Sequence, residues 1–466
     1  MKIISIASII ALALTLVTAT YAYFMAQTGE GKSTDIKINA NTVDTFTFET
    51  GLSLSLNINQ DNFASGKGNQ TGTTFAKAML TANNKTNTAT EHYYMYLNIS
   101  ENTFTYTQDE NTPEILLSIK DGSNNEITSV SGLTYKTVTD GKGATIKGFD
   151  ITTKSGLITI LNNREITTTS TKTEEWNVTV TFVNYNSNQA GNAGKNFSAK
   201  LMIQKEEYKQ TLAEYVKSQY TGTQGENSLY YHNSSLTNGA GDNSYRYAGA
   251  SDSVNNYICL DSDATTCPDA NLFRIIGVFG DQTKVIRAKS VGDQQWHTSS
   301  SNTWSSSSLN TYLNGEYLTS LGTLADKIAT TTWKVGGGSS TYLEDVPATA
   351  YQYEVGSSAS TTTVDKKIGL MYVSDYGFAV DQSGWTTKLG DYNSNRSKNW
   401  LYLGSVEWTI SRSYDTTASA FTVLGTGYVN NYDVTNSYAA RPVFNLLSSM
   451  NYVSGSGSMS DPVRVN

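Results

Sequence analysis

The sequence predicts two β-rich domains joined by a helix. Three observations predict it. Up to about Met202, apolar and polar residues alternate with a period of two, and Gly/Asn/Asp clusters break the runs. The stretch KEEYKQTLAEYVKSQY (205–220) switches to a helical period. Beyond it, aromatic-rich apolar phrases each end in a Gly/Ser/Asn/Asp turn. Alternation with period two buries one face of a strand and wets the other; a 3.6-residue period does the same for a helix.

The first 24 residues form a separate segment. Lys2 precedes an uncharged stretch from Ile3 to Met25, nearly all aliphatic from Ile9 to Val17, which relaxes into small residues at Thr18, Ala19, Thr20 and Ala22. That is the layout of a secretory signal, with cleavage near Ala22 or Tyr23. The stretch is also close to the ~20 residues that span a bilayer, so an uncleaved membrane anchor is the alternative. Either reading makes the remainder extracellular, with membrane contact only through this segment.

Composition narrows the class. A chain of 466 residues is long for one core. Charged residues make up 16% and the net charge is −8, which excludes the basic face that nucleic acids require. It also excludes tight electrostatic attachment to an anionic membrane. Five prolines against 37 glycines and 30 tyrosines suit a turn-rich sheet protein. The two cysteines, Cys259 and Cys267, read as one local disulfide in an exported chain. Their spacing is wrong for a CxxC redox or metal pair.

Residues 25–204 read as an antiparallel sandwich. Leu52, Leu54, Leu56 and Ile58 alternate with polar residues. So do Met95, Leu97 and Ile99 with Tyr94, Tyr96 and Asn98, and Trp176, Val178, Val180 and Phe182 with their neighbours. Turn clusters at 65–72, 121–125, 140–143 and 186–196 separate the strands. In the connector (205–221), Tyr208, Leu212, Tyr215 and Val216 share a helix face directed at the C-terminal domain. Glu206 and Glu207 lie early, Lys217 late, and Gly222 and Gly225 end the run.

In residues 222–466, LFRIIGVF (272–279) is a central strand paired through Gly280-Asp281 with Thr283–Ala288. Leu309, Tyr312, Leu313, Tyr317 and Leu321 share a helix face, with Ser307 or Ser308 as cap. Later strands are expected at Gly369–Val373, Glu407–Ser411 and Ala420–Leu424, with Pro442 at a strand start.

The ordered phrases YRYAGA (245–250), NNYICLDSDATTCPDANLFRIIGVF (255–279), TWSSSSLNTYLNGEYL (303–318), KIGLMYVSDYGFA (367–379), NWLYLGSVEWTISR (399–412) and ARPVFNLLSSMNYVSGSGSMSDPVRV (440–465) resemble a bacterial domain family of unknown function. That family belongs to the C-type-lectin-like superfamily and occurs in Gram-positive surface proteins. The resemblance implies an α+β lectin-like domain over residues 222–466. It assigns no reaction or ligand. TATYAYF (18–24), followed by an amphipathic β run, resembles the TasA/camelysin family of secreted jelly-roll proteins, which includes biofilm fibre subunits. That implies a jelly-roll-like sandwich. It also allows self-assembly by donation of the run Ile36–Phe48 to a neighbouring copy, with Ile36, Ile38, Val43, Phe46 and Phe48 as anchors; the alternative, favoured because it avoids the entropy of association, is that this strand pairs within its own sandwich. The metalloprotease label of camelysin-type members finds no HExxH among His92, His232 and His297.

Candidate chemistry is sparse. Asp261, Asp263 and Asp269 are the calcium candidates, but they lack the EF-hand glycine and glutamate, and a solvated acidic turn explains them equally. The copper-binding cysteines of formylglycine-generating enzymes, which share the broader fold, are missing after Cys267. Trp385 and Tyr392, in a polar loop with Asn393, Asn395 and Arg396, are the candidate ligand contacts. Trp400 and Trp408 read as core. Arg441 should form a structural ion pair with Asp375 or Glu407. These readings favour a structural or adhesive surface protein whose lectin-like head binds a glycan or a surface protein, without cofactor. A calcium-independent carbohydrate-binding module is the alternative, and an enzyme on the lectin-like scaffold the third.

Overall fold

A computed structural model describes residues 44–59, 67–83, 88–337 and 343–466. The signal or anchor segment 1–24 and Ile36, Ile38 and Val43 lie outside them. The chain is mostly antiparallel sheet, about 40% strand and 15% helix. It divides into two compact units between Tyr208 and Lys209. Among the described residues no helix is long and apolar enough to cross a membrane.

The first unit is a β-sandwich. Its strands are β1 (Thr45–Thr50), β2 (Leu54–Ile58), β3 (Gln70–Thr81), β4 (Ala89–Asn102), β5 (Ile115–Asp121), β6 (Tyr135–Thr139), β7 (Thr145–Asp150), β8 (Gly156–Thr168), β9 (Thr171–Phe182) and β10 (Lys195–Gln204). One sheet has the order β1-β3-β9-β5-β7-β6, the other β2-β10-β4-β8. The alternating residues supply the inner faces: Leu54, Leu56 and Ile58 from β2, Met95, Leu97 and Ile99 from β4, and Trp176, Val178, Val180 and Phe182 from β9. Leu52, by contrast, lies before β2 and is exposed. β1 pairs with β3 in its own unit, with Phe46 opposite Leu80 and Phe48 opposite Ala78. Both rings pack on a small cluster with Tyr93 and Ile166. His92 faces Glu165 across the β4–β8 ladder at 3.6 Å.

The connector differs from the sequence expectation. Only Leu212–Ser218 is helical, because Thr211 and Glu214 close a capping box that fixes the start there. Glu206 and Glu207 therefore precede the helix rather than charge its first turn. Tyr208 is not on its face: its N–H donates to the Tyr96 hydroxyl and its ring lies 5.9 Å from that of Tyr96, within the first unit. Leu212, Ala213 and Val216 join the core of the second unit.

That unit is built on the strands Leu272–Phe279 and Gln282–Arg287, joined through Gly280 at φ +66°. Tyr245–Tyr247 and Tyr257–Cys259 flank the first, and Val443–Asn445 the second. Ser307 caps a helix over Ser308–Tyr312 that continues as a wider turn over Leu313–Tyr317. A second sheet contains Glu407–Arg412, Ser419–Val423 and Val429–Asp433. The expected strand Gly369–Val373 is cut short at Ile368–Gly369, and a helix begins at Val373. The cause is local: Asp375 accepts the Tyr372 N–H, and Glu354 accepts the Val373 and Ser374 N–H groups, so the free donors of a helix start are all met.

Candidate functional site

The aromatic residues proposed from sequence as ligand contacts are core. Trp385 and Tyr392 are fully buried. The Trp385 indole donates to the Val380 carbonyl, and the Tyr392 hydroxyl to the carbonyls of Gly377 and Gly384. The surrounding Gly/Ser/Asn residues form short 3-10 turns that fold over these rings, which is why a polar loop hides two large aromatics. Asn395 is buried with them, and only Asn393 and Arg396 face solvent.

The acidic loop does not converge. Asp261 binds the Thr323 hydroxyl and lies 3.4 Å from Lys327, while Asp269 pairs with Lys289 at 2.5 Å. Asp263 is exposed. No group of three or more His, Cys, Asp or Glu side chains able to hold a metal occurs among the described residues. Asp261 and Asp263 instead line an open groove of about 810 Å³ with Arg464. Cys259 and Cys267 form a disulfide there, and Arg464 donates to the carbonyls of Ser262 and Ala264 within the loop it closes.

Arg441 makes a buried, bidentate pair with Glu407: Nε to Oε1 at 2.6 Å and Nη2 to Oε2 at 2.8 Å. Burial pushes the Glu407 carboxyl up, against the pull of Arg441. Asp375 belongs to a different cluster, which sequence reasoning did not assemble.

That cluster begins with sheet register. Arg246 stands opposite Gly277, Gly277 opposite Lys284, and Lys284 opposite Asn445. Directly opposed residues project on the same face, so these four form one lateral row. Gly277 sits where a Cβ would meet the Tyr245 carbonyl at 2.2 Å, so this position takes no side chain. Arg246 and Lys284, from the strands on either side of it, converge on Asp375. Lys284 Nζ lies 2.5 Å from Asp375 Oδ2, and Arg246 Nη1 lies 3.5 Å from Oδ1. Arg246 also binds Asp242 at 2.7 Å and Ser244 at 2.8 Å.

Aromatic rings enclose the cations. Arg246 lies over Phe279 at 4.6 Å and Phe378 at 5.2 Å; Lys284 lies 5.0 Å from Tyr372 and 5.9 Å from Trp333. Such contacts favour a desolvated cation. Burial pushes Lys284 below its ordinary value, against the pull of Asp375. Burial would raise Asp242, yet Arg246 and Ser244 outweigh it and hold the carboxyl low. Beneath them, Glu354 is fully enclosed. Burial pushes it up to about 7, against hydrogen bonds from Ser374 and Ser411.

Above this floor is a cleft of about 240 Å³, lined by Arg246, Phe279, Lys284, Trp333, Tyr351, Tyr372, Asp375 and Asn445, among others. The sequence signal was a lysine set among apolar residues in the strand QTKVIR.

Fold and site define a β-rich, two-unit protein with a solvent-open cleft over a buried charge network. Residues 280–448, which carry Lys284, Trp333, Glu354, Asp375 and Asn445, match the family described as Domain of unknown function (DUF6273). Arg246 and Asp242 fall outside the matched span. No curated protein matches the chain.

Proposed function

We propose that this chain is an exported bacterial surface or matrix protein with a structural and adhesive role, and that its C-terminal unit is a C-type-lectin-like binding head. The observation that carries this reading is the cleft: charged groups held in place by buried ion pairs, aromatic walls, and an opening to solvent. Pre-positioned polar groups in a mostly apolar concavity are the usual form of a binding site. The uncharged N-terminal segment and the disulfide support export. Paired charges and rings suit binding of a glycan or a surface protein without metal. Assembly through the N-terminal segment would add a strand beside β1, the edge of its sheet.

The test is fractionation of the native source cells, with mass spectrometry of the mature N-terminus, followed by binding of the purified chain to isolated envelope. Envelope or medium localisation with saturable binding is expected. A cytoplasmic protein with an intact Met1 would overturn the reading.

A further inference from the structure

We infer that the cleft binds the carboxylate of an acidic sugar residue. The inference rests on the binding-head reading and names the ligand class for it. The first observation is charge. Arg246, Lys284 and Lys334 line the cleft, against the carboxylates of Asp242 and Asp375. Arg246 binds both carboxylates, with Nη2 2.7 Å from Asp242 and Nη1 3.5 Å from Asp375. Lys284 shares Asp375 at 2.5 Å. Lys334 pairs with no carboxylate among the described residues; its Nζ donates to the Val355 carbonyl at 2.8 Å. The lining therefore holds one cation more than its carboxylates match, in a chain whose net charge is −8. Glu354 lies outside the lining, and its oxygens are taken by the N–H groups of Val373 and Ser374 and by the Ser411 hydroxyl. Lys334 is half-buried. A cation that has given up part of its hydration is stabilised by an anion that reaches it.

The second observation is hydrogen bonding. The carboxylates of the lining are filled. Asp375 accepts the Tyr372 N–H as well as Lys284, and Asp242 accepts the Ser244 N–H and hydroxyl as well as Arg246. Donors are left over. Each lysine ammonium carries three N–H groups, and Lys284 and Lys334 are seen to donate to Asp375 and Val355 alone. The Thr331 hydroxyl accepts from Asn445 at 3.0 Å and donates to no group among the described residues. The ligand that completes this lining accepts rather than donates, and an ionised carboxylate is an acceptor only.

Charge and shape restrict the remainder. A surplus of one charge matches a carboxylate; a phosphate monoester carries close to two. A peptide C-terminus bears the same group, but its backbone N–H groups would find the carboxylates of the lining already filled. The hydroxyls of a sugar ring accept as well as donate. Phe279, Trp333, Tyr351 and Tyr372 line the cleft and offer apolar faces to the ring. A volume of about 240 Å³ is below the ~300–1,000 Å³ of drug-sized sites, which suits one ring with its substituent.

The experiment uses the full chain labelled with 5-fluorotryptophan, at pH 6, where Glu354, raised to about 7, is mostly neutral. The Trp333 resonance is assigned by Trp333→Phe and followed in titrations with glucuronic acid, glucose, N-acetyl-diglycine and inorganic phosphate. A saturable shift with glucuronic acid is expected, weakening as salt is added, with weaker responses to the other three. Lys334→Met should lower that affinity about tenfold, as for loss of one charge-assisted hydrogen bond, and Lys334→Arg should retain most of it; melting curves check that both variants are folded. An equal response to glucose, or an unchanged affinity in folded Lys334→Met, would overturn carboxylate recognition. An equal response to N-acetyl-diglycine would overturn the sugar, and an equal response to phosphate would leave an unselective anion site. Silence at Trp333 toward all four, with a shift on adding solubilised envelope polymer, would sink the ligand class and keep the binding head. Silence toward the polymer as well would remove the cleft as the binding site.

Discussion

Replacing Arg441 by methionine should be among the most damaging single changes in the second unit. The guanidinium is 3% exposed, holds both oxygens of Glu407 and donates to the Leu401 carbonyl. Methionine leaves Glu407 buried without its cation. Breaking a buried pair from one side costs about 3–5 kcal/mol. At about 2–4 °C per kcal/mol for a unit of this size, the melting point should fall by roughly 6–20 °C. Glu407 then has only burial acting on it, which pushes its carboxyl further up. The folded state takes up a proton that the unfolded chain releases, so stability falls as pH rises, and the loss is larger at pH 8 than at pH 5. Urea denaturation of the wild type, Arg441→Met, Glu407→Leu and the double variant at both pH values measures this. The double variant should recover most of the loss, since the pair is replaced by apolar groups. A single variant within about 1 kcal/mol of wild type would refute the reasoning, as would a double variant as unstable as the sum of the singles.

Glu354→Gln should flatten the pH dependence of stability. The folded carboxyl is raised from 4.5 to about 7, so its contribution is full below pH 4.5 and is lost as pH rises through 7, by roughly 3 kcal/mol. Equal pH profiles for both proteins in chemical denaturation would contradict this. Removing the Cys259–Cys267 bridge should cost about 2–3 kcal/mol through the short loop it closes, and thiol labelling of the unfolded, unreduced wild type should find no free cysteine. A chain starting at Lys209 should stay soluble and melt cooperatively, since the contacts divide there; aggregation or a broad transition would place the boundary elsewhere.

The sandwich was legible because strands with one wet face write their burial into the sequence. Leu54, Leu56 and Ile58 alternate in sequence and in burial alike. The helix start at Thr211 was legible in principle, since Thr211 and Glu214 have capping-box spacing, but the apolar period extends back to Tyr208 and hides it. The cleft was not legible. Arg246, Lys284, Asp375 and Asn445 are joined by sheet register and by a helix that interrupts an apparent strand, and neither is written in local periodicity. Trp385 and Tyr392 misled for a related reason: their polar atoms are met by the backbone carbonyls of Val380, Gly377 and Gly384, which the polar side chains around them in sequence do not announce.

The most direct test of the binding-head claim is an array of glycans and surface polymers probed with the full chain, with and without EDTA, beside Lys284→Met. Methionine keeps the bulk of the lysine stem and removes its N–H donors, while Asp375 retains Arg246 at 3.5 Å; circular dichroism and melting of the variant check that it is folded. Saturable binding that survives EDTA and is lost in folded Lys284→Met is the predicted result. Binding abolished by EDTA, or unchanged in folded Lys284→Met, would contradict it.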